Sequence, residues 1–110
     1  MRAYIIDEIS ARDLPLIVDH LKKNEAESNI KDLFWVNIPE EYLDQTQALH
    51  KKCGPFRFAV ELGPSWVRAE FFVRSCRSLS CTCNRYCTAK QRDYILEFMD
   101  RLLIETNIQT

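Results

Sequence analysis

Leu14, Ile17, Val18 and Leu21 recur at i, i+3, i+4 and i+7 and draw one apolar stripe along a helix. Pro15 sets where that helix starts. With Ser10 as N-cap the proline would stand at the fifth helical position, where its ring clashes and a donor is missing. With Asp13 as cap it falls in the first turn, whose N–H groups have no intrahelical partner anyway. The short apolar run at residues 3–6 predicts a strand before this helix. After a polar loop over residues 24–31, residues 33–38 form a continuous aromatic and β-branched run, the pattern of a strand covered on both faces. Pro39 and the two glutamates behind it open a second helix, which Gly54 and Pro55 close. Its stripe is Tyr42, Thr46, Leu49 and Cys53.

Residues 56–62 alternate strictly, and a second alternating segment follows Gly63-Pro64-Ser65. Opposed residues of an antiparallel pair share a face, so the register can be inferred. Pairing Leu62 with Val67 gathers Phe56, Phe58, Val60, Leu62, Val67, Ala69, Phe71 and Val73 on one side and sets Glu61 against Arg68. Pairing Leu62 with Trp66 would bring Arg68 and Glu70 onto the apolar side, so the first register is preferred. Thr88 to Gln91 fits a T-x-x-Q capping box, and Tyr94, Ile95, Phe98, Met99, Leu102 and Leu103 mark a long final helix with a core face. The order is β-α-β-α-β-β-α. Two helical crossovers imply parallel neighbours and the hairpin an antiparallel pair, so the expected fold is α+β, a mixed sheet packed against helices with a cysteine-rich loop before the C-terminal helix.

A chain of 110 residues makes a single domain over residues 1–110, and with 46% hydrophobic and 28% charged residues it has the means to bury a core without cross-links or metal. Asp7 and Glu8 interrupt the apolar run a secretory signal needs, and no segment approaches the roughly 20 apolar residues of a membrane helix, so a cytoplasmic location away from the membrane is expected. The net charge of −1 hides a division. Residues 1–50 carry five Lys/Arg against ten Asp/Glu, residues 51–92 nine against two, and residues 93–110 one against four.

The basic part contains the clearest chemical signal, C-x4-C-x-C-x3-C through Cys76, Cys81, Cys83 and Cys87. In a reducing compartment clustered cysteines bind metal or do redox work more often than they form disulfides. Four thiolates suit zinc, and also an iron-sulfur cluster, the less favoured cofactor. Four thiolates around Zn²⁺ leave a net −2; Arg74, Arg77, Arg85, Lys90 and Arg92 lie nearby, with no acid between residues 74 and 92. Cys87 precedes the Thr88 cap, where the helix dipole favours a thiolate. The spacing lacks the C-x2-C steps of common zinc knuckles, and free cysteine also packs as a small hydrophobe, so unliganded thiols are the competing reading. Cys53 continues the second helix's stripe and reads as core, although His50 and Cys53 at i and i+3 could also meet one ion.

These features describe a domain with a four-cysteine metal site of structural or regulatory role. A thiol redox or sensing protein is the alternative, and a nucleic-acid or protein binding module, including a homodimer, the next. For the last, Arg57, Trp66, Arg68, Phe72, Arg74, Arg77 and Arg85 form the candidate surface, with aromatics to stack bases and arginines to meet phosphates. Nothing identifies an enzyme: two glycines exclude a glycine-rich phosphate cradle, and no histidine is placed by sequence as the base of a nucleophilic thiol.

Overall fold

The computed structural model describes residues 2–110, among which there are three α-helices and seven strands. In chain order they are β1 (Ala3–Ile6), α1 (Leu14–Asn24), β2 (Ala26–Glu27), β3 (Leu33–Asn37), α2 (Gln45–Leu49), β4 (Phe56–Leu62), β5 (Val67–Glu70), β6 (Phe72–Ser75), β7 (Arg85–Tyr86) and α3 (Ala89–Glu105). Single 3₁₀ turns at Glu40–Tyr42 and Lys51–Cys53 flank α2.

The strict alternation of β4 puts Phe56, Phe58, Val60 and Leu62 on the buried side, where they meet Ile17 and Leu21 of α1 and Ile95, Met99 and Leu102 of α3 in one cluster. Phe58 is fully buried, edge-on to Phe98 at 5.7 Å between ring centres, and burial of such a side chain contributes about 1.5–3 kcal/mol. Proline lies in the first turn of α1 as expected, with Asp13 at the cap position, although the capping contact is made by Ser10 Oγ, which accepts from the Asp13 N–H at 3.1 Å. The T-x-x-Q box at Thr88 and Gln91 forms in full.

The sheet departs from the expectation. Its order is β1-β5-β4-β3-β2, with β6 and β7 continuing beyond β4, and every pairing is antiparallel, so the mixed sheet is corrected to an antiparallel one. The reason lies in the segment between β3 and β4. A parallel return has to travel the length of the strand, about 24 Å for seven residues. The single long helix expected over residues 40–53 would carry the chain about 21 Å in one direction, but the segment is broken into a 3₁₀ turn, a five-residue α2 of about 7.5 Å and a second 3₁₀ turn. Asp44 breaks the longer helix by capping a new one: its carboxylate accepts from the Gln47 N–H at 2.8 Å and Gln47 Oε1 accepts from the Asp44 N–H at 3.1 Å. The chain therefore turns back at the strand end and β4 runs antiparallel beside β3. The expected stripe is also rotated, because Leu49 is exposed and Gln47 is fully buried. The observed order gains β2 and β7 over the expected one and divides the second hairpin strand into β5 and β6, and β3, expected to be covered on both faces, buries only Phe34 and Val36.

The hairpin register is the one read from the sequence, with Leu62 opposite Val67 and Glu61 opposite Arg68. Further along, Phe56 pairs with Ser75 and Arg57 with Arg74, so two extra residues have entered the partner strand between β5 and β6. An insertion of two keeps the faces in step, and Val73 remains on the buried side. At the bulge the Ala59 N–H donates to Glu70 Oε2 at 2.8 Å in place of a backbone carbonyl, and Arg74 grips the same carboxylate with Nε and Nη2 at 3.0 and 2.9 Å.

Candidate metal centre

His50 closes α2, its N–H bonded to the carbonyls of Thr46 and Gln47, and the next turn brings the Cys53 N–H onto the His50 carbonyl at 2.9 Å. The two side chains thus leave opposite ends of a single turn. Cys81 and Cys83 come from the loop between β6 and β7. His50 Nδ1 lies 3.1 Å from Cys81 Sγ and 4.0 Å from Cys53 Sγ, and with Cys83 Sγ the four ligand atoms all lie within 4.8 Å of one another. Cys83 is fully buried, the other three are half-buried, and none of the five cysteines is in a disulfide.

Three polar side chains, Ser75 and Gln47 buried and Asn84 half-buried, hold the cysteines by their backbone carbonyls. Ser75 Oγ donates to the Cys53 carbonyl while accepting from the Arg77 and Ser78 N–H groups. Asn84 donates to the Cys81 carbonyl at 2.8 Å and to the Ser78 carbonyl at 2.7 Å, and its oxygen accepts from the Ser75 N–H. Gln47 Nε2 donates to the Cys83 carbonyl at 3.1 Å, and Gln91 Nε2 donates to Gln47 Oε1 at 2.8 Å and to the Tyr42 carbonyl at 2.9 Å. The capping boxes of α2 and α3 therefore meet through two fully buried glutamines, and the ligand loop is fastened to that junction. Such outer contacts fix where ligand atoms point before any ion arrives.

The thiols are electrostatically unequal. Hydrogen bonding to sulfur, first from the Cys83 N–H and then from the Cys83 thiol, His50 and Cys53, lowers Cys81 to about 6. Burial above all, then the neighbouring Cys81 and Cys53, pushes Cys83 up to about 12.

Of the four expected metal ligands, the cluster gathers Cys81 and Cys83. Cys76 is exposed and outside it. Cys87 is half-buried and also outside it, raised to about 12 by burial and then by the charge of Glu70, which outweigh any help from the helix dipole. Cys53, expected in the core, and His50 stand in their place; the i, i+3 spacing and the D-x-x-Q box at Asp44 were the signals for them.

The expected binding surface divides. Arg57, Trp66, Arg68, Phe72 and Arg74 are all partly exposed; the Arg68 guanidinium lies 5.1 Å from the Trp66 ring and also pairs with Glu61. Arg85 leans the other way, to Thr46 Oγ1 at 2.8 Å and Asp44 at 3.6 Å, and Arg77 is exposed in the ligand loop. No helix among the described residues is long and apolar enough to cross a membrane.

Fold and site together define an α+β domain built on an antiparallel sheet, with a His/Cys/Cys/Cys group that could hold a metal ion. Comparison of the chain with protein-family models, curated proteins and solved structures finds no match.

Proposed function

We propose that His50, Cys53, Cys81 and Cys83 bind one zinc ion, which clamps the turn after α2 to the loop before α3 in a cytoplasmic protein, with a structural or regulatory role. The observation that carries this reading is the convergence of one imidazole nitrogen and three sulfurs within 4.8 Å. A tetrahedron of zinc–sulfur bonds of about 2.3 Å has edges of about 3.8 Å, within the range these atoms already span. One imidazole with three thiolates is an established zinc donor set, whereas iron-sulfur clusters rest mostly on four cysteines. The ion with three thiolates carries a net −1, and Lys51, Lys52 and Arg77 in the same two segments offset it.

The test is elemental analysis of protein purified without chelator, together with its visible spectrum. About one zinc per chain is expected, retained in Cys76→Ser and Cys87→Ser and lost in Cys53→Ser and Cys81→Ser. Iron with visible absorption would transfer the site to an iron-sulfur cluster. A metal-free protein that loses free thiols on mild oxidation would transfer it to thiol redox chemistry, for which Cys81 has two sulfurs in reach.

A further inference from the structure

Both long helices lie against one side of the sheet, and the other side carries a row of cations and rings. The register puts its members on one face: Trp35 is opposite Ala59, Arg57 opposite Arg74, and Phe72 opposite Tyr86. The Arg57 guanidinium lies 4.1 Å from the Trp35 ring and that of Arg74 4.8 Å from Phe72. Phe72 meets Tyr86 edge-on at 5.1 Å, and Arg2 closes the row 4.3 Å from the Tyr86 ring.

This arrangement costs the fold stability, since like charges directly opposite on neighbouring strands repel. Arg74 is neutralised by Glu70, and Arg68, elsewhere on the face, by Glu61. Arg57 and Arg2 have no carboxylate within 4.0 Å among the described residues, and Arg57 Nε is buried with no hydrogen-bond partner. A partly exposed guanidinium with no carboxylate partner, its Nε buried and its charge over an indole, is a site short of an anion.

We infer that this face binds an unpaired nucleic-acid strand. Its bases stack on the Tyr86 ring and on the outer plane of the Arg57 guanidinium, and its phosphates pair with Arg57 and Arg2. Three strand spacings from β3 to β7 give about 14 Å, room for two or three bases, the number that open antiparallel sheets of this size stack. An acidic peptide would use the arginines and leave the rings idle. A second copy of the same face would bring the arginine row against itself. A duplex keeps its bases stacked away from a flat sheet.

The experiment is fluorescence anisotropy of the intact, metal-replete protein with labelled uridine and thymidine strands of about ten nucleotides. Binding is expected to weaken with salt by about 0.7 log units per log unit of salt for each phosphate contact. Arg57→Glu and Tyr86→Ala should each weaken it about ten-fold, or about 1.4 kcal/mol. Tyr86 is 45% exposed, so its removal leaves the core intact, and circular dichroism of both variants checks their folding. The inference is overturned by failure to bind either strand, by equal affinity for a duplex or for polyglutamate, or by variants that fold and bind unchanged. Self-association abolished by Arg57→Glu would equally overturn it.

Discussion

Replacing Gln47 with leucine tests whether the paired capping boxes hold both the fold and the metal site. Leucine nearly preserves the volume but removes three hydrogen bonds, those with the Cys83 carbonyl, the Asp44 N–H and Gln91 Nε2. At about 1 kcal/mol each the loss is about 3 kcal/mol, since the penalty for stranding the buried Gln91 amide offsets what leucine gains by burial. Against a total stability of about 5–15 kcal/mol the protein should still fold. With a urea m-value of about 2 kcal/mol/M the unfolding midpoint should drop by about 1.5 M. Because the Cys83 carbonyl loses its anchor, zinc affinity, measured by competition with a chromophoric chelator, should fall about 10- to 100-fold. Gln91→Leu removes the bond shared with Gln47 and those with the Tyr42 carbonyl and the Thr88 N–H, again about 3 kcal/mol. The shared bond can be lost only once, so the double variant should cost about 1 kcal/mol less than the sum. A midpoint shift below about 0.5 M for Gln47→Leu with zinc affinity unchanged would refute the coupling of cap to site.

Removing metal with a chelator should speed amide exchange in residues 50–53 and 76–84 and leave α1 and β4 protected, because the core is built without the ion; global unfolding would contradict the clamp. In Gly63→Ala the added methyl would stand 2.0 Å from the Trp66 indole, a clash costing about 1–3 kcal/mol, and adding Trp66→Ala should recover part of it; strictly additive losses would place the strain elsewhere. Cys87 is raised to about 12, so the folded chain keeps a proton that the unfolded chain releases near pH 9. Its contribution is therefore complete below about pH 9 and lost as pH rises towards 12. The stability difference between the wild type and Cys87→Ala should change over that window, and a constant difference would show that Cys87 titrates normally.

Features governed by near neighbours could be read directly along the chain. The stripe of Ile17 and Leu21, the Thr88 capping box, and the pairing of Leu62 with Val67 each depend on residues within a helical turn or a short hairpin, where spacing alone decides which side chains share a face. The break within residues 40–53 belongs to the same local scale. Asp44 and Gln47 spelled a second cap, but Pro39 and Gly54 also fitted a single longer helix, and the balance between the two depends on burying Gln47 against Gln91, 44 residues away.

Strand direction and the metal site belong to a longer scale. The antiparallel sheet follows from the chain turning back within the 38–55 segment, which no periodicity records. The cysteine spacing pointed to the right loop, yet its ligand partners lie elsewhere in sequence: His50 reaches Cys81 from 31 residues away, and Gln47 sets the Cys83 backbone from 36. The row of cations and rings is likewise divided among β3, β4, β6, β7 and Arg2, and only the sheet order brings Trp35 beside Arg57. Residue types set what chemistry was available, and chain closure decided which side chains met, because alternation assigns a residue to a face without choosing its neighbour across the strands.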